Sequence, residues 1–576
     1  MVVPMNNTSI AKVFEDLAVL LQAKGENIFK VRAHSKAADA IKSLPYQLAD
    51  IVDDEDRLRS IPGFGDAIVD KTREMVRTGK LELLARLKTE LPDGVLELTQ
   101  IPGIGAKTAV TAASELGISN FEQLAASIES GEFQNLPRIS KKGALQILRH
   151  AEYRAAQGGK VGIGRANQMA QAVVEEMTTR CPEIETIEIA GDIRRGIELI
   201  GDAILVASHS QPATITDAFT TLSNVRDVLE HDDKNAAFLD DSGFRFELLA
   251  VTPDRAGGAL VFATGPRQHI KKLNERNAEI DLDALSETNF RTEADVYDSC
   301  GLPFIRPEIR EGGREFSEPV PSLISLADIK GDLHSHTDWS DGRFPMEEMV
   351  AKATDLGREY LAITDHSPSA TVANGLSSER LIEHKHAVRS LNDKVEIELL
   401  TGTEMDIKPD GSLDYSDEEL AELDIVIASI HSGMDQDQQT MTDRVIAAME
   451  SPHVDVICHL TAQLLERRAP VLMDVEKIFE KAAATGTVLE INASPERLDL
   501  NAEHARMAAE MGVIFAVSTD SHRLWQFENM RYGVQTAARA WIEPWQVINT
   551  MPFKEFSAFL RLPKSERYES NRQRGQ

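Results

Sequence analysis

The strongest constraint on this chain is a repeated unit in residues 329–576. A short β-branched apolar run ends in a histidine or carboxylate, and a segment of helical spacing follows. Ile329–Leu333 leads into His334, Tyr360–Thr364 into Asp365 and His366, and Val395–Leu400 into Glu404. Ile425–Ser429 leads into His431, Val454–Cys458 into His459, Val488–Ile491 into Asn492, and Val513–Ser518 into Asp520, Ser521 and His522. Helix-like segments separate most of them: Met346–Leu356, Arg380–Leu391, Gln438–Met449, Val475–Ala484 and Ala502–Met511. Such alternation predicts a parallel sheet. Polar residues at the carboxyl ends of seven such strands predict a barrel with its site on that face.

The first run opens the densest stretch, Gly331–Gly342, which packs His334, His336, Asp338 and Asp341 together. A strand ending in His-x-His puts both imidazoles on one face, where they can share a metal closed by a loop aspartate. A lone His-x-His is often a surface feature; the six later positions make unrelated, internally satisfied side chains the weaker account.

Residues 329–560 resemble a PHP (polymerase and histidinol phosphatase) phosphoesterase domain, a distorted (βα)7 barrel. The resemblance implies metal ligation by His334, His336, Asp341, His366, Glu404, His431, His459, Asp520 and His522. It implies two or three divalent ions, with Glu404 bridging, and phosphoester cleavage by a metal-bound water. Mixed histidine and carboxylate ligands suit manganese, zinc or iron better than magnesium. After His459 the family has Pro-Thr-Gly-Arg, where this chain has Leu460-Thr461-Ala462-Gln463. Arg497 and Lys408 are candidate phosphate contacts.

At 576 residues the chain has room for three or four domains. Its net charge is −31, which is unusual for a nucleic-acid protein. Residues 1–80, however, hold 12 Lys/Arg against 12 Asp/Glu, so DNA contact there must be local. Three cysteines predict no disulfide framework and a reducing compartment. The opening MVVPMNNTSIAKVFEDLA lacks a signal-peptide pattern, and no run reaches membrane-span length, so a cytoplasmic protein is expected.

The N-terminal part reads as helices. Lys30 and Arg32 crowd one helix start, either as a DNA contact or as a solvated face. Ile61-Pro62-Gly63-Phe64-Gly65 and Ile101-Pro102-Gly103-Ile104-Gly105-Ala106-Lys107 repeat one pattern before a helix. The glycines permit a tight hairpin whose N–H groups sit beside a helix N-terminus. That geometry holds a phosphate without reading bases. The pattern resembles the helix-hairpin-helix motif, with a degenerate third copy at Leu136–Gly143. DNA binding is therefore expected at Lys30, Arg32, Gly63, Gly65, Gly103, Gly105 and Lys107.

Gly191-Asp192-Ile193-Arg194-Arg195, Gly201-Asp202, Thr264–His269 and Val296–Ile305 extend this into a resemblance to family X DNA polymerases in the bacterial and archaeal form fused to a PHP domain. It implies a lyase-type domain (1–85), fingers (86–160), a mixed α/β nucleotidyltransferase palm (161–255), a thumb (256–315), a linker (316–328) and the PHP barrel (329–576). The catalytic residues carried over are Asp202, Glu247 and the Schiff-base lysine Lys71, with Arg194 and Arg195 for the triphosphate. Three positions depart from the family. Ile204 replaces the second palm aspartate, Glu247 the third, and Asp192 a serine that helps hold the triphosphate. Isoleucine cannot ligate a metal, and a carboxylate repels phosphates. At most a residual Mg2+ site is expected there.

The expected function is metal-dependent hydrolysis of DNA phosphoesters by the barrel, with synthesis lost or weak. Action would be as a 3′–5′ exonuclease, a 3′-phosphatase or a nuclease at abasic sites. Gapped, nicked or 3′-ended duplex would be bound without sequence preference by a monomer. An active gap-filling polymerase with an editing barrel is the first alternative. A DNA-end scaffold and a small-molecule phosphatase are the others.

Overall fold

The computed structural model describes residues 5, 7–42, 44, 46–137, 139–277 and 285–575. Arg138, in the degenerate third hairpin, lies outside them. The chain divides into two compact units, Met1–Gly159 with Glu466–Ala469, and Lys160–Leu465 with Pro470–Gln576. Among the described residues no helix is long and apolar enough to cross a membrane.

The first unit is helical around one apolar core that includes Phe14, Ile41, Leu58, Ile68, Leu98, Ile104 and Phe133. In its first hairpin Ile61 and Phe64 are buried anchors, and Gly63 turns the chain at φ +87°. Gly65 then caps the helix Asp66–Thr78. The second hairpin repeats this with Ile101 and Ile104 buried, Gly103 at φ +91° and Gly105 capping Ala106–Leu116. Positive φ costs a side-chain-bearing residue energy and glycine little, which is why the spacing is legible in sequence.

Among the described residues the second unit carries three sheets. Strands β1 (Val161–Gly162) and β3 (Leu199–Ile200) form a small pair, and a second sheet has five strands. That sheet runs in the order β2 (Thr186–Ile189), β4 (Asp202–Ser208), β7 (Arg245–Val251), β6 (Asn235–Asp240), β5 (Val225–His231). Only β4 and β7 are parallel. Phe219, Phe238 and Phe246 fill the core on one face, with ring centroids about 5 Å apart.

Seven parallel strands make the third sheet in sequence order: β8 (Gly331–Asp332), β9 (Tyr360–Ile363), β10 (Glu398–Asp406), β11 (Ile425–Ser429), β12 (Val456–Ile457), β13 (Val488–Asn492) and β14 (Phe515–Ser518). A parallel bridge between Ser335 and Ser521 joins the first strand's continuation to the last, so the sheet nearly closes. The helices Met346–Asp355, Ser378–Asn392, Gln438–Glu450, Val475–Thr485 and Ala502–Glu510 separate strands as their spacing predicts.

Two details differ from the sequence reading. β10 extends through Asp406, so Glu404 lies on the strand rather than after it. Thr403, Glu404 and Met405 pair in register with β11 and are buried. Conversely β8 ends at Asp332, before the His-x-His pair. The chain stays extended there because the Ser335 hydroxyl donates to Ala362 O at 2.7 Å, while its N–H donates to Thr364 Oγ1 at 3.1 Å.

Candidate metal centre and companion sites

Glu404 is the hub. Its Oε1 lies 2.7 Å from His459 Nε2 and 3.2 Å from His431 Nε2. Its Oε2 lies 3.0 Å from His366 Nδ1 and 3.5 Å from the Nε2 atoms of His334 and His336. Asp520 Oδ1 approaches His336 at 3.3 Å and His334 at 3.4 Å. Asp341 Oδ1 faces His522 Nε2 at 3.2 Å and His366 Nε2 at 3.5 Å. All nine residues expected as ligands thus meet at one end of the barrel, whereas Asp338 is exposed and outside the cluster.

Sequence reasoning missed the residues that hold these side chains. Glu490, buried on β13, lies 2.8 Å from His334 Nδ1 and accepts from the His459 N–H at 2.8 Å and Asn492 Nδ2 at 3.0 Å. Asp332 accepts from the Thr519 hydroxyl and N–H, fixing the segment before Asp520. Asp365 accepts from Thr337 and Ser340 and faces His384 Nε2 at 3.0 Å. Glu490 had a signal, a charge inside the otherwise apolar Val488–Ile491. Cys458 Sγ also reaches the cluster, 3.5 Å from Glu404 Oε1.

The residues fit a group of cations. His334 Nε2 and His336 Nε2 stand 3.1 Å apart, both facing Glu404 and Asp520. His336 Nδ1 and His459 Nδ1 are buried without a hydrogen-bond partner. Burial pushes Glu404 up, but His431, His366 and His334 outweigh it and hold the carboxyl well below its usual range. Burial together with His522 and His366 lowers His336 to about 4. A neutral imidazole beside an ionised carboxylate is the state in which both can ligate; against the effect of burial, the facing carboxylates push His334 well up, His431 to about 10 and His522 to about 9, so those rings would give up a proton to a bound cation.

The palm positions are also placed. Asp202 and Ile204 share one face of β4, in register with Arg245 and Glu247 of β7. Glu247 Oε1 lies 2.5 Å from Arg245 Nε. Burial raises the carboxyls of both Asp202 and Glu247. Arg195 pairs with Asp192. Arg194 makes a two-pronged pair with Glu293, at 2.8 and 2.6 Å, and donates to Thr264 Oγ1. Arg497 Nε lies 3.3 Å from Asp520 Oδ2, beside the barrel cluster.

In the helical unit Lys71 donates to Ala67 O at 3.0 Å, and burial lowers its amine from the usual lysine range. Lys30 is exposed and pairs with Glu26 at 3.0 Å; Arg32 and Lys107 are exposed.

Residues 332–494 match the PHP domain family. Residues 5–81 match a helix-hairpin-helix domain, and 95–152 a SAM-like helix-hairpin-helix tandem. Over 575 residues, 97% of this chain and all of the relative, the sequence is 35% identical to the DNA polymerase/3′-5′ exonuclease PolX of Bacillus subtilis (strain 168). This chain belongs to the PolX family. Two probable phosphatases match a smaller share of the chain. That of Thermoanaerobacter sp. (strain X514) is 29% identical over 38% of this chain and 89% of its own length. That of Syntrophotalea carbinolica is 26% identical over 39% and 94%. As a PolX member this protein joins helix-hairpin-helix units, which imply DNA contact, to a hydrolytic barrel.

Proposed function

We propose that this PolX protein hydrolyses DNA phosphoesters at the barrel, as a 3′–5′ exonuclease, a 3′-phosphatase or a nuclease at abasic sites, and that its palm no longer polymerises. The observation carrying this is the Glu404 hub, one carboxylate within 3.5 Å of five imidazoles. His334, His336, Asp341, His366, Glu404, His431, His459, Asp520 and His522 would hold two or three manganese, zinc or iron ions. Such ions supply an acidified water and charge stabilisation of the phosphate. The chain's part is orientation. Glu490 holds the His334 ring, and Asp332 fixes the Asp520 segment. Arg497 offers donors to the substrate's phosphate oxygens.

Three features support a silent palm. Ile204 occupies a ligand position beside Glu247. Asp192 brings a negative charge to the triphosphate side, and both Arg194 and Arg195 are neutralised by carboxylates. Glu247 is itself held by Arg245. At most a weak Mg2+ site at Asp202 and Glu247 is left.

The hairpins at Gly63, Gly65, Gly103, Gly105 and Lys107, with Lys30 and Arg32, would hold gapped, nicked or 3′-ended duplex through its phosphates. Lys71, its amine lowered by burial, is the nucleophile we assign to lyase chemistry at an abasic sugar. The lyase-type domain, fingers, palm, thumb, linker and barrel would keep the bounds expected from sequence. A monomeric state and the reducing cytoplasm belong to this reading too, with Cys181, Cys300 and Cys458 all free. Incubating 3′-phosphorylated and 3′-hydroxyl oligonucleotides with the protein and Mn2+ tests the hydrolase. Phosphate release or stepwise shortening is expected, and neither should survive His334→Ala with His336→Ala.

A further inference from the structure

The palm and the barrel are packed as one. Leu465, from the segment after β12, and Leu498, from the segment after β13, belong to the palm's apolar core with Ile163, Ala166 and Ile200. A β-carbon at Gly164, in the first turn of the helix Ile163–Arg180, would stand 2.6 Å from Pro495 Cβ and 2.8 Å from its Cγ. That helix therefore presses on the turn Ser494–Asp499 with no space to spare.

The same turn is anchored from the barrel. Arg497 and Leu498 donate their N–H groups to Ser494 O at 2.8 and 3.0 Å. Gln463 Nε2 donates to Arg497 O at 2.9 Å and Leu498 O at 3.3 Å. The Leu465 N–H donates to Glu496 O at 2.7 Å, and the Thr461 N–H to Asp499 Oδ2 at 2.9 Å. Leu498 sits at φ +47°, a conformation its side chain resists. The palm core and the Gln463 amide hold it there. What the turn delivers is Arg497, whose Nε stands 3.3 Å from Asp520 Oδ2 at the metal-ligand cluster.

We propose that the palm serves the barrel as a brace: it sets the Arg497 guanidinium over the metal-ligand cluster, with Gly164 and Gln463 as positioning residues. This rests on the hydrolase reading above. It gives a palm with altered catalytic positions a continuing task. It also gives Gln463 a role in place of the family arginine, since a backbone-bonded amide now orients an arginine supplied by the neighbouring segment.

The test uses the full-length protein, Mn2+ and a 3′-hydroxyl oligonucleotide. Arg497→Ala should lower kcat about 100-fold, the scale of a lost transition-state donor. Gly164→Ala should lower kcat about tenfold with KM for DNA within about twofold, because the added carbon shifts the turn and alters none of the hairpin residues. Bound metal by elemental analysis should not change, so the loss is one of position and not of the ligand cluster. Gln463→Ala, which adds no atoms, should act like Gly164→Ala. Gly164→Ala combined with Arg497→Ala should be no slower than Arg497→Ala alone, the mark of a shared pathway. Losses that multiply, or wild-type kcat in both Gly164→Ala and Gln463→Ala, overturn the brace. An unmodified protein that cleaves no DNA overturns the hydrolase reading itself, and the brace with it.

Discussion

Ile204 lies in register with Glu247 across the parallel strands β4 and β7, one step from Asp202 on the same face. Its Cδ1 reaches to 3.1 Å from where a β-carbon on Gly191 would be, so the apolar side chain fills the ground between strand and arginine turn. A two-ion nucleotidyl transfer needs facing carboxylates there.

Restoring the palm should therefore need several changes at once. Ile204→Asp alone leaves Glu247 on Arg245 and Asp192 facing the triphosphate, and we expect no extension of a primed template. Ile204→Asp with Glu247→Asp and Asp192→Ser is the smallest set expected to give measurable synthesis. Primer extension with Mg2+ and all four nucleotides checks this, and activity in the single variant would show that Ile204 alone silences the palm.

In the barrel, Glu490 is expected to act through His334. Glu490→Gln keeps the size but removes the charge that the His334 ring faces. Changes to such outer partners typically cost 10–100-fold in metal affinity. Competition against a chelator should show a loss on that scale for at least one ion, larger than for Asp338→Asn, whose parent side chain is outside the cluster.

The barrel's site was legible in the sequence because metal chemistry requires a few residue types, and strand ends place them. What sequence could not show were contacts between distant segments. Glu490 and His334 are 156 residues apart, and nothing in local pattern pairs them. Glu404's place on a longer β10 was missed for a related reason: Thr401, Gly402 and Thr403 look like a turn, yet neighbours on both sides recruit them into the sheet. Propensity yields to pairing there. In the palm, the substitutions at Ile204 and Asp192 were visible in sequence, but the capture of Arg194 by Glu293, 99 residues away, was not.

The helical unit should bind DNA by phosphate contact alone. Gly63 and Gly103 sit at φ +87° and +91°, so Gly63→Val with Gly103→Val should distort both hairpins. Binding of unrelated duplex sequences should fall together, by about tenfold or more, and the slope of log affinity against log salt should become shallower. Fluorescence anisotropy on two unrelated sequences across a salt series measures both.

A buried network in the palm's neighbour gives a pH signature. Glu315 Oε1 lies 2.8 Å from His269 Nδ1, and the carboxylate accepts from the N–H groups of Glu311, Gly312 and Gly313. Burial raises its carboxyl, but His269 and the backbone donors outweigh this and bring it to about 2. A depressed carboxyl stabilises the fold above its unfolded value, about 4.3, and that contribution disappears as pH falls toward 2. Glu315→Gln should thus lower Tm clearly at pH 7, and the gap from the unmodified protein should narrow progressively below pH 4. A gap independent of pH would mean that the ionised form is not what matters.

The most direct measurement is one gel. A gapped duplex with a labelled primer is incubated with the protein and all four nucleotides, in Mn2+ and in Mg2+, alongside the variant carrying His334→Ala and His336→Ala. The account predicts primer shortening with Mn2+, no product longer than the primer in either metal, and no change at all with the variant. Primer extension by the unmodified protein that persists in the variant would contradict it, and would place the working chemistry in the palm.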